Sequence, residues 1–330
     1  MFYAIYQGEC DLKATGPILL LITAVLWGST FAAQTAASAH VDPFTFNFSR
    51  NFIGALFLTG VIAVRKRNGH DKTPVAAGRV TKGFGYTRKT LVVAGVLCGV
   101  VLCAASFLQQ LGISSYPEGT AISGRSGFVT AIYMIMVAVY GIFAGKKAHP
   151  MVFIAVAVAM IGMYFLCVPN GFGDIYVGDW LTLACALGYA AHIIVIDRYT
   201  QIDGVRLSRM QLLTAGCISL VCAFIFEHPQ IANILAAIGP ILVAGVLSDG
   251  VAYTFQIIAQ KTTDPTVASI IMSLESVFAA LAGLVFLGEM LGGIELFGCA
   301  LVFAAVILSQ VPTFIENKRR RNALREAAMK

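Results

Sequence analysis

Charge is scarce in this sequence. Asp, Glu, Lys and Arg make up 12% of its residues and apolar types 58%, whereas soluble domains carry about 25% charged residues. A water-soluble fold of this size has too few charges to cover its surface, while a lipid-facing one needs none. The spacings that mark chemistry are missing too. The eight cysteines are Cys10, Cys98, Cys103, Cys167, Cys185, Cys217, Cys222 and Cys299, and none pair at CxxC spacing. A zinc site or disulfide framework is therefore not expected. All but Cys10 lie in or beside apolar stretches and read as small membrane-core residues. HExxH, GxSxG and P-loop patterns are lacking, as is a defensible Ser–His pairing, which disfavours an intramembrane enzyme or an ATP-driven pump. No catalytic residue, metal or cofactor is expected. Residues 1–16 hold Glu9, Asp11 and Lys13 and lack an apolar core, so they do not read as a cleavable signal peptide.

What is present is a series of ten apolar runs long enough to span a bilayer. They fall near 17–37, 44–64, 91–111, 117–140, 150–168, 178–197, 209–226, 238–260, 265–287 and 292–311. Lipid offers the backbone no hydrogen-bond partners, so each run must be a helix. The loops test the count independently. Of the 23 Lys and Arg, all but Arg50 and Arg125 fall in alternate loops or the termini on the same side. The positive-inside rule makes that side cytoplasmic, with both termini inside. The basic loop 65–90 then reads as a topology anchor. The expected organisation is a cytoplasmic segment 1–16, a five-helix unit 17–168, a linker 169–177, a second five-helix unit 178–311 and a basic tail 312–330.

Five helices per unit means that the second starts on the opposite side from the first. Phe107 and Pro117 share the spacing of Phe255 and Pro265, and Gly28 and Gly188 have similar small-residue and aromatic surroundings. These echoes point to an inverted repeat, the device by which many secondary transporters achieve alternating access.

Polar residues within the runs fall on single faces at spacings of three and four. The sets are Thr23, Trp27, Thr30 and Gln34; Cys103, Ser106 and Gln110; Thr182, Cys185, Tyr189 and His192; and Asp249, Tyr253, Gln256 and Gln260. Such stripes must face other helices or a cavity. Arg50 lies six residues into the second run, about 9 Å deep, and its stem can snorkel outward. Arg125 lies about 12 Å in from Pro117 and Glu275 about 15 Å in from Pro265, near the middle of a core roughly 30 Å thick. A buried arginine needs a partner or a solvated cavity. Two arrangements answer that need: a salt bridge from Arg125 to Glu275 or Asp249, or a split site with Arg125 on a substrate carboxylate and an acid on an ammonium group. Asp249 or Glu275 is also chemically able to take a coupling proton. His192 is either a titrating group or a satisfied packing residue.

Residues 246–289, VLSDGVAYTFQIIAQKTTDPTVASIIMSLESVFAALAGLVFLGE, resemble the C-terminal half of EamA-type members of the drug/metabolite transporter superfamily. LWGST at 26–30 is similar to that family's opening motif, and residues 192–211 and 119–133 are similar to further parts of it. The resemblance implies an all-α integral membrane fold of ten transmembrane helices in two inverted five-helix repeats. It also implies a central cavity lined by helices 1, 3, 4, 6, 8 and 9, and export of amino acids, related metabolites or drugs. Trp27, His192, Gln260 and Glu275 match its motif positions, whereas Arg125 and Asp249 depart from the uncharged residues usual there.

The function expected is export of small polar metabolites across the plasma (inner) membrane around a midplane cavity. The candidate substrate-binding residues are Trp27, Gln110, Arg125, Phe128, His192, Asp249, Tyr253, Gln256 and Glu275. A lipid flippase or a broad drug exporter is the alternative. Expected partners are a small-molecule substrate, membrane lipid and a coupling proton, with no nucleic acid; the chain is a monomer or a homodimer.

Overall fold

The computed structural model describes residues 12–69, 87–117, 122–145, 149–168, 171, 175–282 and 292–328. Among them nine helices are long and apolar enough to cross a membrane, and a tenth apolar helix, Pro150–Leu166, is slightly shorter. The chain is an all-helical, multi-pass membrane protein. In order the spans are Leu12–Ser38, Pro43–Arg67, Arg88–Ser114, a fourth split into Ile122–Ala131 and Tyr133–Phe143, Pro150–Cys167, Val177–Arg198, Gly204–Phe226, an eighth running Ile238–Val243, Ala244–Ala252 and Tyr253–Ala259, a ninth split into Pro265–Met272 and Glu275–Ala282, and Gly293–Ala328.

Local chemistry fixes where these helices begin. Pro43, Pro150 and Pro265 open their helices, where a missing N–H costs nothing and φ is already helical. Asp203 and Asp264 cap theirs through the backbone N–H groups of Arg206 and Thr266, at 3.0 Å each. Capping by Asp203 starts the seventh span at Gly204, five residues before the hydropathy run, which places Arg206 and Arg209 in its first turns. The tenth helix continues through the segment expected as a tail, since Lys, Arg, Ala and Glu there are good helix formers.

Packing follows a rule. The first span packs on the eighth and ninth, and the sixth on the third and fourth. The second packs on the seventh and eighth, and the third on the seventh; the fifth packs on the tenth and the fourth on the ninth. Exchanging each span for the one five places along maps this set onto itself, as a two-fold relation between two inverted halves requires. The Gly28/Gly188 echo is not part of that symmetry. Gly28 abuts the ninth span, whereas the nearest neighbour of Gly188 is Ala105 of the third; the equivalent neighbour lies on the fourth.

The antiparallel second and seventh spans are tied at both ends. Glu227, just past the seventh span, accepts from the Phe44 and Thr45 backbone N–H groups at 2.7 and 2.8 Å and from the Thr45 hydroxyl at 2.7 Å. Those are orphan donors of the second span's first turn, where the helix dipole also favours an anion. At the opposite end Arg65 donates to both oxygens of Asp203 at 3.2–3.3 Å. Glu227→Ala is expected to lower stability by about 1–2 kcal/mol, the scale of a lost cap discounted for partial exposure. Unfolding in detergent micelles measures it, and an unchanged midpoint would remove the tie from the account.

Small residues set the closest approaches. The Gly95/Gly99 pair packs within the chain on Met210, Gln211 and Thr214 of the seventh span, while Gly145 meets open space. The described cysteines are free. Most are buried as expected, but Cys217 is exposed.

Candidate functional site

Six of these spans, joined by the second, line one pocket. The first span contributes Trp27, Thr30, Phe31 and Gln34, four residues on one helical face. The second contributes Arg50, the third Gln109 and the fourth Tyr133. The sixth adds Tyr189, His192 and Ile193, the eighth Ser248, Tyr253 and Gln256, and the ninth Met272 and Glu275. Among the described residues the fifth, seventh and tenth spans contribute nothing to this wall.

The wall is built at irregular helix. The fourth span breaks at Ile132, immediately before Tyr133, and the ninth breaks at Ser273 and Leu274, immediately before Glu275. Glu275 thus sits in the first turn of a new helical segment, where exposed N–H groups favour a carboxylate. The eighth span widens into a π-helix over Ala244–Ala252, a distortion common at functional sites. Interrupted helices at the interface of two repeats are the usual architecture of transporter binding sites.

Tyr253 is the aromatic centre of the site. Its ring meets Trp27 edge-on with centroids 5.0 Å apart and His192 at 5.7 Å and 87°. His192 Nε2 lies 3.0 Å from Gln211 Oε1, and the Tyr189 hydroxyl donates to Gln109 Oε1 at 2.9 Å. Trp27 Nε1, the Tyr133 hydroxyl and Gln256 Oε1 are buried without hydrogen-bond partners among the described residues. Buried polar groups are normally paired, so these three are open valences for a ligand. Glu275 is 5% exposed and forms no ion pair among the described residues.

Of the residues singled out from the sequence, Trp27, His192, Tyr253, Gln256 and Glu275 are in the cavity wall. Three lie behind it. Gln110 turns away to donate to the Gln34 carbonyl at 3.3 Å, and its neighbour Gln109 takes the wall position. Phe128 packs edge-on against Tyr164 of the fifth span, centroids 6.1 Å apart. Asp249 is fully buried beside Arg50. Arg125 lies in the helix Ile122–Ala131, and its side chain lies outside the described residues.

The sharpest correction concerns Arg50. Instead of snorkelling outward it is 3% exposed, with Nε 3.7 Å from Asp249 Oδ2. Asp249 therefore has a cation in the second span, Arg50. Two glycines bring this about. A Cβ on Gly54 would lie 2.8 Å from the Gly245 carbonyl oxygen, and one on Gly245 would lie 2.8 Å from the Arg50 carbonyl oxygen. Only glycines allow the second span so close to the π-helix that carries Asp249. A signal was present in the sequence: Asn47, Arg50, Asn51 and Gly54 recur at spacings of three and four, and all are buried.

The model of the EamA-like transporter family matches residues 14–168 and again 176–310. The chain is 27% identical to an uncharacterized transporter of Archaeoglobus fulgidus, over 88% of this chain and 83% of that protein. It is 29% identical to the threonine/homoserine exporter RhtA of Salmonella typhimurium, over 63% of this chain and 68% of that protein, and 27% identical to the Escherichia coli RhtA over 67% and 72%. A crystal structure 19% identical in sequence superposes with a TM-score of 0.69 over 90% of this chain and 98% of the other, a likeness of fold. With both halves matched by one family model and a polar cavity between them, the chain belongs to the EamA-like transporter family and is a membrane transporter of a small molecule, not an enzyme.

Proposed function

We propose that this chain is a secondary transporter exporting small polar metabolites of the amino-acid class by alternating access around the cavity between its halves. The observation that carries this reading is the composition of the cavity wall. Arg50 and Glu275 face the same enclosed space, together with unpaired polar atoms of Trp27, Tyr133 and Gln256. The distant likeness to RhtA, named a threonine/homoserine exporter, supports the same class. The alternation of basic loops supports cytoplasmic termini, so export runs from the terminal side outward. Glu275, the carboxylate on the cavity wall, serves as the ammonium-binding group and can carry the coupling proton in its absence.

The test is flux of radiolabelled L-amino acids in proteoliposomes of the purified chain, with and without an imposed proton gradient. Saturable flux of at least one amino acid is expected, and Glu275→Gln should lower it at least about tenfold, the equivalent of 1.4 kcal/mol. Flux of fluorescent phospholipid with none of amino acids would replace this reading with a flippase.

A further inference from the structure

We propose that Arg50 is the anion-binding residue of the cavity, and that Asp249 occupies its guanidinium until a substrate carboxylate takes that place. The inference rests on the cavity being the transport site and names the chemistry of its ligand: a small zwitterion, carboxylate toward Arg50 and ammonium toward Glu275.

The pair between Arg50 and Asp249 is an unfinished one. A charge-assisted N–H···O contact is normally about 2.7–2.9 Å long, and arginine binds carboxylates best through two parallel bonds. Here one contact is made, at 3.7 Å and through Nε. That nitrogen already donates to Asn47 Oδ1 at 3.1 Å. Both oxygens of Asp249 are buried without a hydrogen bond among the described residues. Burying two ions is costly, and the cost is recovered only when geometry is good and the remaining lone pairs are satisfied. Neither condition is met, so the resident carboxylate neutralises Arg50 without saturating it.

The arrangement is also one-sided. Arg50 is in the cavity wall, whereas Asp249 stands behind it in the π-helix. A ligand entering the cavity reaches the guanidinium without first displacing protein backbone. The guanidinium is held for it by Asn47 and by the Phe46 ring, whose centroid lies 5.3 Å from Cζ. Rigid support of this kind lowers the ordering cost of binding. Arg50, Tyr253 and Glu275 line the same pocket.

Competition gives the proposal a distinctive signature: removing Asp249 should tighten binding. The purified full chain in lipid nanodiscs is titrated calorimetrically with the standard L-amino acids. The tightest binder is then compared with its amino alcohol, which lacks the carboxylate, and its deaminated acid. Asp249→Asn is expected to strengthen binding of the amino acid at least about threefold. Arg50→Lys, which keeps the charge but loses the fork, is expected to weaken it at least about tenfold, equal to 1.4 kcal/mol. Affinity for the amino alcohol should fall far less than that for the amino acid in Arg50→Lys, and an unchanged helical circular dichroism spectrum shows that both variants remain folded. Unchanged or weaker binding in Asp249→Asn overturns the placeholder role, and an unchanged affinity in Arg50→Lys overturns the anchor. If the wild-type chain neither binds nor carries any amino acid, the transport reading falls first and this inference with it. If it carries them with Arg50 irrelevant, only this inference falls.

Discussion

Arg50→Ala is expected to destabilise the chain by about 3–5 kcal/mol, the cost of stripping a buried charge of its partner. Arg50 and Asp249 are 3% and 0% exposed, and the two oxygens of Asp249 have no hydrogen-bond donor among the described residues. Its carboxylate would be left with no nearby cation among the described residues. Asp249→Leu in the same chain should restore most of the loss, because replacing a buried ion pair by apolar side chains is often neutral or stabilising. The double variant Arg50→Met/Asp249→Leu should therefore fold well yet transport poorly, whereas Arg50→Ala fails on both counts. Unfolding of the purified proteins in micelles, paired with proteoliposome flux, separates the two effects. Equal stability of Arg50→Ala and wild type would mean that the two charges do not depend on each other. A double variant with full flux would remove the pair from the transport site.

How the pair was hidden shows what a sequence can convey here. Helix number and order follow from apolar run length alone, because a bilayer accepts hardly any other structure, and the described ends lie within about five residues of those runs except in the last helix, which continues to Ala328. Loop charge adds an expectation of sidedness, through the positive-inside rule. Breaks at Ile132 and at Ser273–Leu274, and the π-helix over Ala244–Ala252, left no such trace, since neither break contains a Pro or Gly. Period three-to-four stripes placed Trp27, His192, Tyr253 and Gln256 on inward faces. The same period cannot separate Gln109 from Gln110, which stand 100° apart on a helix whose rotation is set by its neighbours. Arg50 was misjudged by depth alone. An arginine about 9 Å below a surface has two low-cost directions in an isolated helix. Which one it takes is decided by Gly54 and Gly245, residues in contact in the fold and almost two hundred apart in the chain.

The close contact at Gly28 carries the second large effect. A Cβ there would stand 2.5 Å from the Glu275 carbonyl oxygen, 2.7 Å from Phe278 Cβ and 2.8 Å from the Ala279 nitrogen. Two of these are backbone atoms, which cannot swing aside as a side chain can. The first and ninth spans must part to admit even a methyl group, and overpacking of this kind costs about 1–3 kcal/mol. The site is touched as well, because Trp27 and Glu275 are the cavity residues on either side of the contact. Gly28→Ala is thus expected to lower flux at least about tenfold along with stability, and Gly28→Leu to prevent accumulation of folded protein. Gly60 is the matching control. It lies in the second span with nothing within 4 Å of the added Cβ, so Gly60→Ala should leave flux unchanged and gain up to about 1 kcal/mol from helix propensity. Flux per folded molecule and the unfolding midpoint are measured for both. If Gly28→Ala behaves like Gly60→Ala, the ninth span yields at this point, and Glu275 is not held in place by the first.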